Sequence, residues 1–423
     1  MKKHIAAAVT GAAVLSLGLA GCSGSSSGGG TQQSGPVTLT VWTGFTGGDR
    51  PGYDQIVADW NKAHKNIQVK MVVQPWDTIA QKLPSAWLTG SGPDIAAPSP
   101  DPNAVADYVK TNSVLPITAT GSGDSKINVS AFAPALTKEF TYGGKLYAVP
   151  ANYATLSLYY NKKLFSAAGI EKAPTTLDEF QADAKKLTDA SKKQYGLVLA
   201  DNQTIQMWPI LGWLGGGDIV DAKGCSAVQT SASQAALKPW ASLVSKDKIS
   251  PVGLTGAEAD SLFSAGKAAM ELNGPWAAPG YKDAGVDLGV APVPAGSNGK
   301  PVTLGSTAAL SISAKSKYPQ QAQQFVAYWT SHTAQKAFSL KTGFPSFRTD
   351  LADDPDLKAN QIVSVFTDQI PAARLYLPQT KQATQVDANG YVPMIGQITR
   401  GKSVADVTAA TAKTINGLTG CSS

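Results

Sequence analysis

The chain has 423 residues, 43% of them hydrophobic, enough to bury more than one core. Its 36 lysines and arginines against 30 acids leave a net charge of +6, spread thinly along the sequence. Without a clustered basic stripe, the composition is not that of a nucleic-acid binder.

The chain opens with MKKHIAAAVTGAAVLSLGLAG, in which two lysines precede an apolar run from Ile5 to Ala20. Such a stretch reads as a secretory signal over residues 1–21, too short and too weakly flanked for a stable membrane span. It ends in Leu19-Ala20-Gly21-Cys22, which resembles the lipobox of bacterial lipoproteins. That resemblance implies cleavage before Cys22 and a lipid on its sulfur, placing the protein on the outer face of the bacterial cell membrane. Residues 22–35, rich in Ser and Gly, form a flexible tether, so the folded part begins near Pro36. Cleavage removes Lys2 and Lys3 but no acid, leaving a net charge of +4.

Beyond the tether, Val37-Thr-Leu-Thr-Val-Trp42 alternates apolar and polar residues with β-branching, which predicts a strand. A Gly-rich turn follows, then Tyr53, Ile56, Val57 and Trp60 at helical spacing, then Ile67–Val73 as the next strand. Ile79, Leu83 and Trp87 mark a second helix, interrupted by Pro84, which is expected to kink it. Pro93–Ala97 reads as a short strand and Ala104–Lys110 as a helix. A second set comprises Leu156–Tyr160, a helix opened by the capping box Thr176-Leu-Asp-Glu179, and a strand at Gly196–Leu199. The alternation predicts an α/β fold with two largely parallel sheets covered on both faces.

Near the C-terminus, Gly396-Gln-Ile-Thr-Arg-Gly-Lys-Ser403 satisfies the phosphate-loop pattern G-x-x-x-x-G-K-[ST]. It stands about 20 residues from the end, with no downstream strand to carry a magnesium-binding acid, and the secretory signal leads away from cytosolic nucleotides. Ser403 is expected instead to cap a helix carrying Val404, Val407, Ile415 and Leu418, with Lys402 solvated. Beyond the signal the histidines are His64 and His332, far apart and in no ligand spacing, so neither a metal nor another cofactor is expected. No nucleophile elbow is present. A pair of carboxylates acting on glycosides remains open, because their separation is a spatial property.

An ordered set of motifs now stands out. Trp42 with its Gly/Asp loop, Gly92-Pro-Asp-Ile95, Gly144-Lys-Leu-Tyr-Ala-Val-Pro150 with Leu158-Tyr-Tyr-Asn-Lys162, Phe263–Met270, Asn273-Gly-Pro-Trp276, Gly289–Pro294 and Ala322–Trp329 occur in sequence. Together they resemble the extracellular solute-binding proteins of sugar ABC importers, the group that includes maltose-binding protein. The resemblance spans residues 37 to about 418. It implies a two-lobed periplasmic-binding-protein fold, with a first lobe of residues 36–149 and 292–343 and a second of 150–291 and 344–423. Crossings near Val149-Pro150, Ala291-Pro292 and Gly343 would form the hinge. The implied partners are a sugar, the permease subunits of an importer, and the membrane through the lipid anchor; a monomer is expected.

A sugar ring shows an apolar face and a rim of hydroxyls, so its site needs aromatic platforms and fixed polar groups. Trp60, Trp87, Trp240 and Trp329 follow helical periodicity and are expected in cores, whereas Trp208 fits either core or cleft. Ligands of open α/β sheets sit at the carboxyl ends of strands, which selects Trp42, Thr43, Phe45 and Asp49 after the first strand, with Trp76 in a later loop. The family resemblance adds Asp101, Asn152, Tyr153, Gln206, Trp213, Phe344 and Arg348, and aligns Trp276 with a sugar-stacking tryptophan. Arg374 and Tyr391 are expected to be structural. A glutamate of the family stands as Ala154 here, which argues against maltodextrin itself. With Cys22 lipidated, Cys225 and Cys421 would both lie in the second lobe, where an oxidising environment favours a disulfide between them. The expected function is capture of a di- or oligosaccharide by hinge closure without chemistry. A lipid-anchored glycoside-cleaving enzyme and a same-fold receptor for a non-sugar solute are the alternatives.

Overall fold

The computed structural model describes residues 35–99, 104–118, 126–203, 205, 207–378 and 380–422. The signal, Cys22, Asp101 and Gln206 lie outside the described residues. Pro36–Ser423 forms one compact unit.

In chain order the strands are β1 Val37–Thr43, β2 Ile67–Val73, β3 Ile95–Ala96, β4 Thr141–Tyr142, β5 Lys145–Leu146, β6 Val149–Pro150 and β7 Ala154–Thr155. They continue with β8 Ser157–Asn161, β9 Met270–Asn273, β10 Leu288–Ala291, β11 Thr303–Ser306, β12 Ala309–Ile312 and β13 Ala373–Leu375. A five-stranded sheet runs in the order β2-β1-β3-β12-β6. Strand β1 is parallel to β2 and β3, but β12 is antiparallel to both β3 and β6. The largely parallel expectation therefore holds for three strands. The other two enter from long-range crossings of the chain and run against them.

The second sheet, β10-β8-β9, is antiparallel throughout. The strand expected at Gly196–Leu199 is reduced to single parallel bridges, Val198 to Glu271 and Tyr195 to Ala268. A third small sheet, β13-β11-β7, joins the segments where the chain passes between cores.

Two cores account for most of the apolar burial. The first contains Leu39, Val41, Ile95, Leu310, Phe325 and Trp329. The second contains Leu158, Phe180, Trp208, Trp240, Met270 and Ile395. Trp60 and Trp87 are also fully buried, and Trp208 takes the core option, donating its indole N–H to Ala200 O at 2.9 Å. Residues up to Ala154 pack in the first core or in a smaller cluster of Ile79, Leu83, Trp87, Ala96, Tyr108 and Val114, and those from Leu156 begin the second core; Leu304 belongs to the second and Ala308 to the first. Phe344 and Phe347 remain in the first core, so the chain leaves it later than Gly343.

Local signals act as their chemistry demands. Thr176 and Glu179 close a reciprocal capping box on the helix Leu177–Lys186. The helix Trp76–Thr89 continues through Pro84. At the C-terminal end, Gly396 lies inside the helix Val392–Thr399, and Ser403 caps Val404–Thr419 by accepting from the Asp406 amide at 3.3 Å. The amides of the phosphate-loop pattern thus serve two helices, and Lys402 is exposed beside Gln397.

Candidate functional site

The loop leaving β1 turns sharply through Gly44 and Gly47 into the helix Arg50–Ala63 and forms one wall of a cavity of about 280 Å³. Phe45 is stacked on Tyr53 with centroids 3.8 Å apart, and the edge of Trp76 meets it at 5.6 Å. Gly44 lies directly beneath the Trp76 indole: a Cβ built there would be 2.0 Å from Cδ2. Trp276 and Phe344 also line it, with ring centroids 6.1 Å apart. Small residues complete the lining, Ala154 on β7, Ser306 on β11 and Ala308 before β12.

The polar content is sparse and fixed. Asp49 lines the cavity yet is only 6% exposed. Burial raises its carboxyl from the ordinary 3.8 to about 6, against the opposing pull of hydrogen bonds from backbone and the Tyr53 hydroxyl. Tyr53 Oη in turn accepts from Asn152 Nδ2 at 2.6 Å. Asn152 Oδ1 accepts from the Ala308 amide at 3.0 Å, and its carbonyl accepts from Thr307 Oγ1 at 2.6 Å. A continuous polar chain therefore runs from the cavity carboxyl to two segments that pass between the cores.

Trp276 follows β9 in a short turn whose backbone is held at both ends of Gly274. The Gly274 amide donates to Asn273 Oδ1 at 2.8 Å, and its carbonyl accepts from Tyr159 Oη at 3.0 Å. The half-buried Trp276 indole folds back over Gly274 and packs against both cores.

An aromatic-lined cavity with few polar groups, placed where the chain passes between two cores, suits reversible capture of a small solute. A family model described as bacterial extracellular solute-binding protein matches residues 47–336, more than half of the chain. The chain belongs to this family. The galactooligosaccharide-binding protein of Bacillus subtilis (strain 168) is 27% identical over 368 residues, covering 84% of this chain and 84% of that protein. The maltotriose-binding protein of Pyrococcus abyssi is 24% identical over 389 residues, 89% of this chain and 81% of its own length. Among solved structures, the GacH receptor of Streptomyces glaucescens GLA.O, determined unliganded and with acarbose and an acarbose homolog, superposes with a TM-score of 0.81. It is 28% identical and the match covers 91% of this chain and 99% of that one. The fold is thus the two-lobed α/β fold of solute-binding proteins.

Within this solute-binding protein the expected site residues separate into two groups. Phe45, Asp49, Trp76, Asn152, Trp276 and Phe344 converge on the one cavity. Trp42 does not: its side chain packs against the Ile79, Leu83 and Trp87 cluster, because alternation along β1 turns it away from the loop. Thr43 is completely buried in the β1–β2 ladder. Tyr153 is 3% exposed and lies against β11, where a Cβ on Gly305 would be 2.8 Å from its hydroxyl. Arg348 is also placed away from the cavity; it binds Asp350 at 2.9 Å and the Thr330 carbonyl at 2.8 Å. Asp94 anchors backbone, accepting from the Thr40 amide at 2.9 Å.

Trp213 lines a different, larger cavity of about 1040 Å³. Its indole N–H donates to Asp218 at 3.0 Å, and the Arg374 guanidinium, paired with Asp218, covers the ring at 4.5 Å. Tyr391 is buried. Cys225 and Cys421 are joined in a disulfide with Cα atoms 5.6 Å apart, which fastens the end of the helix Val404–Thr419. Sequence reasoning missed Gly44, Thr46, Gly47, Ser306 and Ala308 as lining residues; only those of the Gly-rich turn after the first strand carried a signal. Among the described residues there is no group of three or more His, Cys, Asp or Glu side chains able to hold a metal, and no helix long and apolar enough to cross a membrane.

Proposed function

We propose that the protein captures a sugar, a di- or oligosaccharide, in the cavity between Phe45, Trp76, Trp276 and Phe344, and delivers it to the permease of an ABC importer. The single observation that carries this reading is the lining of that cavity: the partly exposed rings of Trp76 and Trp276, backed by the buried Phe45 and Phe344, with Asp49, Asn152 and Ser306 among its polar groups. Rings bind the apolar faces of a pyranose, and a buried carboxyl orders its hydroxyls. The names of the relatives and of the GacH receptor's ligands support the same solute class.

Closure would bring the lobe built on residues 36–154 and 308–347 onto the lobe built on 156–304 and 366–419. A ligand that touches both lobes favours the closed form by its differential affinity. Among the described residues lining the cavity Asp49 is the sole carboxyl, which supports binding over glycoside cleavage, where two are needed. Anchoring through a lipid on Cys22 would keep the monomer near its permease.

A thermal-shift screen over sugars, amino acids and ions tests the proposal. A sugar at 100 times its dissociation constant should add about 2.7 kcal/mol to stability. A shift with a non-sugar solute alone would overturn the sugar reading and leave the family assignment standing.

A further inference from the structure

Beneath the Trp276 turn lies a cluster of acids that the cavity itself does not use. Glu271 on β9 is 1% exposed, and Asp260 reaches it from the helix Gly256–Ser264. Both carboxyls crowd around the same two donors. Tyr281 Oη donates to Glu271 Oε2 at 2.6 Å and lies 3.4 Å from Asp260 Oδ1. Asn273 Nδ2 donates to Asp260 Oδ1 at 2.7 Å and lies 3.4 Å from Glu271 Oε1. The titratable groups facing the pair are Tyr281 from the helix Ala278–Asp283 and Tyr159 from β8, both of which ordinarily stay neutral. The described ion pairs give neither acid a lysine, arginine or histidine.

Two negative charges side by side in a buried site without a cation repel strongly, so one of the two carboxyls keeps its proton well above the usual range. One proton between the carboxyls removes the repulsion and adds a donor where donors are short. We propose that Glu271 holds that proton at neutral pH, donating it to Asp260, and that the resulting pair positions the Trp276 turn and sets ligand affinity. The mechanical link is short. Asp260 fixes Asn273, Asn273 fixes the Gly274 amide, and the Trp276 ring rests on Gly274. Burial and the neighbouring Asp260 both push the Glu271 carboxyl well above the usual carboxylate range, in keeping with this geometry.

The proton is a positioning device, so its loss should act on Trp276 without touching the ligand. Raising the pH until the pair is doubly ionised should weaken binding by about fivefold or more, the ordinary size of coupling between two sites. This expectation rests on the proposed sugar site; the protonation itself does not.

The test compares the wild-type protein with Glu271→Gln, whose amide supplies the same donor to Asp260 and the same acceptor to Tyr281 at every pH. Three readouts are taken from neutral to alkaline pH: the infrared carbonyl stretch of a protonated carboxylic acid, hydrogen exchange at the Gly274 amide, and maltotriose affinity. The expected result is a protonated-acid band lost in E271Q, a Gly274 protection factor, taken relative to the intrinsic base-catalysed rate, that falls at high pH only in the wild type, and an alkaline loss of affinity that E271Q abolishes. No difference in the acid band, or equal Gly274 protection in both proteins at every pH, would overturn the proposal. If maltotriose binds neither protein, a galacto-oligosaccharide takes its place; if no sugar binds, the sugar reading falls, while the band and the exchange still decide the acid pair.

Discussion

Gly274 lies under the indole of Trp276, so closely that a Cβ built on the glycine would stand 2.2 Å from Cζ3 of the ring. The same relationship recurs in the cavity lining between Gly44 and Trp76. Gly274 has φ −90° and ψ 176°, a backbone that any residue adopts, so the glycine is there for the ring and not for the turn. Gly274→Ala should therefore swing Trp276 aside. We expect sugar affinity to fall by at least about 1 kcal/mol, as when a contributing side chain is lost from an interface, with a melting temperature close to wild type because the partly exposed ring can move aside. Unchanged affinity in a calorimetric titration would mean that the ring position does not matter.

Truncation of Trp276 to alanine is the complementary change. A half-buried ring that lines the cavity and touches both cores is a candidate hot spot, and its loss should weaken binding by roughly 2 kcal/mol or more. Stability should drop far less than for a core tryptophan such as Trp208. A lowered melting temperature at wild-type affinity would assign Trp276 to the core.

Asp49 gives the site a pH dependence whose sign follows from its raised pKa. In the folded protein its carboxyl keeps a proton up to about pH 6, whereas an unfolded aspartate releases it near 3.8. The folded state thus binds more protons between those values, and this group's contribution is complete below pH 3.8 and is lost as the pH rises through about 6. The difference amounts to roughly 2–3 kcal/mol. Asp49→Asn should flatten that part of the stability curve relative to wild type, measured by denaturant unfolding from pH 4 to 7. Parallel curves would show that Asp49 is solvated in the folded state.

The disulfide between Cys225 and Cys421 closes a loop of sequence separation 196 and holds the chain end against the segment before the helix Ser231–Ser245. Replacing both cysteines by serine should cost about 2–4 kcal/mol, most of it through the unfolded state, and should let the last turn of Val404–Thr419 exchange its amides faster. Sugar affinity should be unaffected.

Local features were the most legible part of the sequence. The β2 strand, the helix Ala104–Lys110, the Thr176–Glu179 capping box and the Ser403 cap follow from periodicity and from side chains acting within a few residues. Sheet direction was less legible: nothing within Ala309–Ile312 reveals that it runs antiparallel beside β3, because that depends on where a crossing of more than a hundred residues returns. The same limit applies to the site. Phe45, Asp49, Trp76 and Trp276 carry chemistry that can be read in place, but Ser306 and Ala308 matter only through their position in the cavity lining. Arg348 and Thr43 fit the pattern of a binding residue until Asp350 and the β2 ladder claim them.

Direct calorimetric titration of the purified protein with maltotriose and galacto-oligosaccharides, followed by analysis of the recovered sugar, tests the central claim. The account predicts saturable one-to-one binding to at least one of them, a negative heat-capacity change from burial of ring faces against the cavity aromatics, and sugar returned intact. Absence of binding by every sugar tried while a non-sugar solute binds, or release of shortened products over many turnovers, would contradict it.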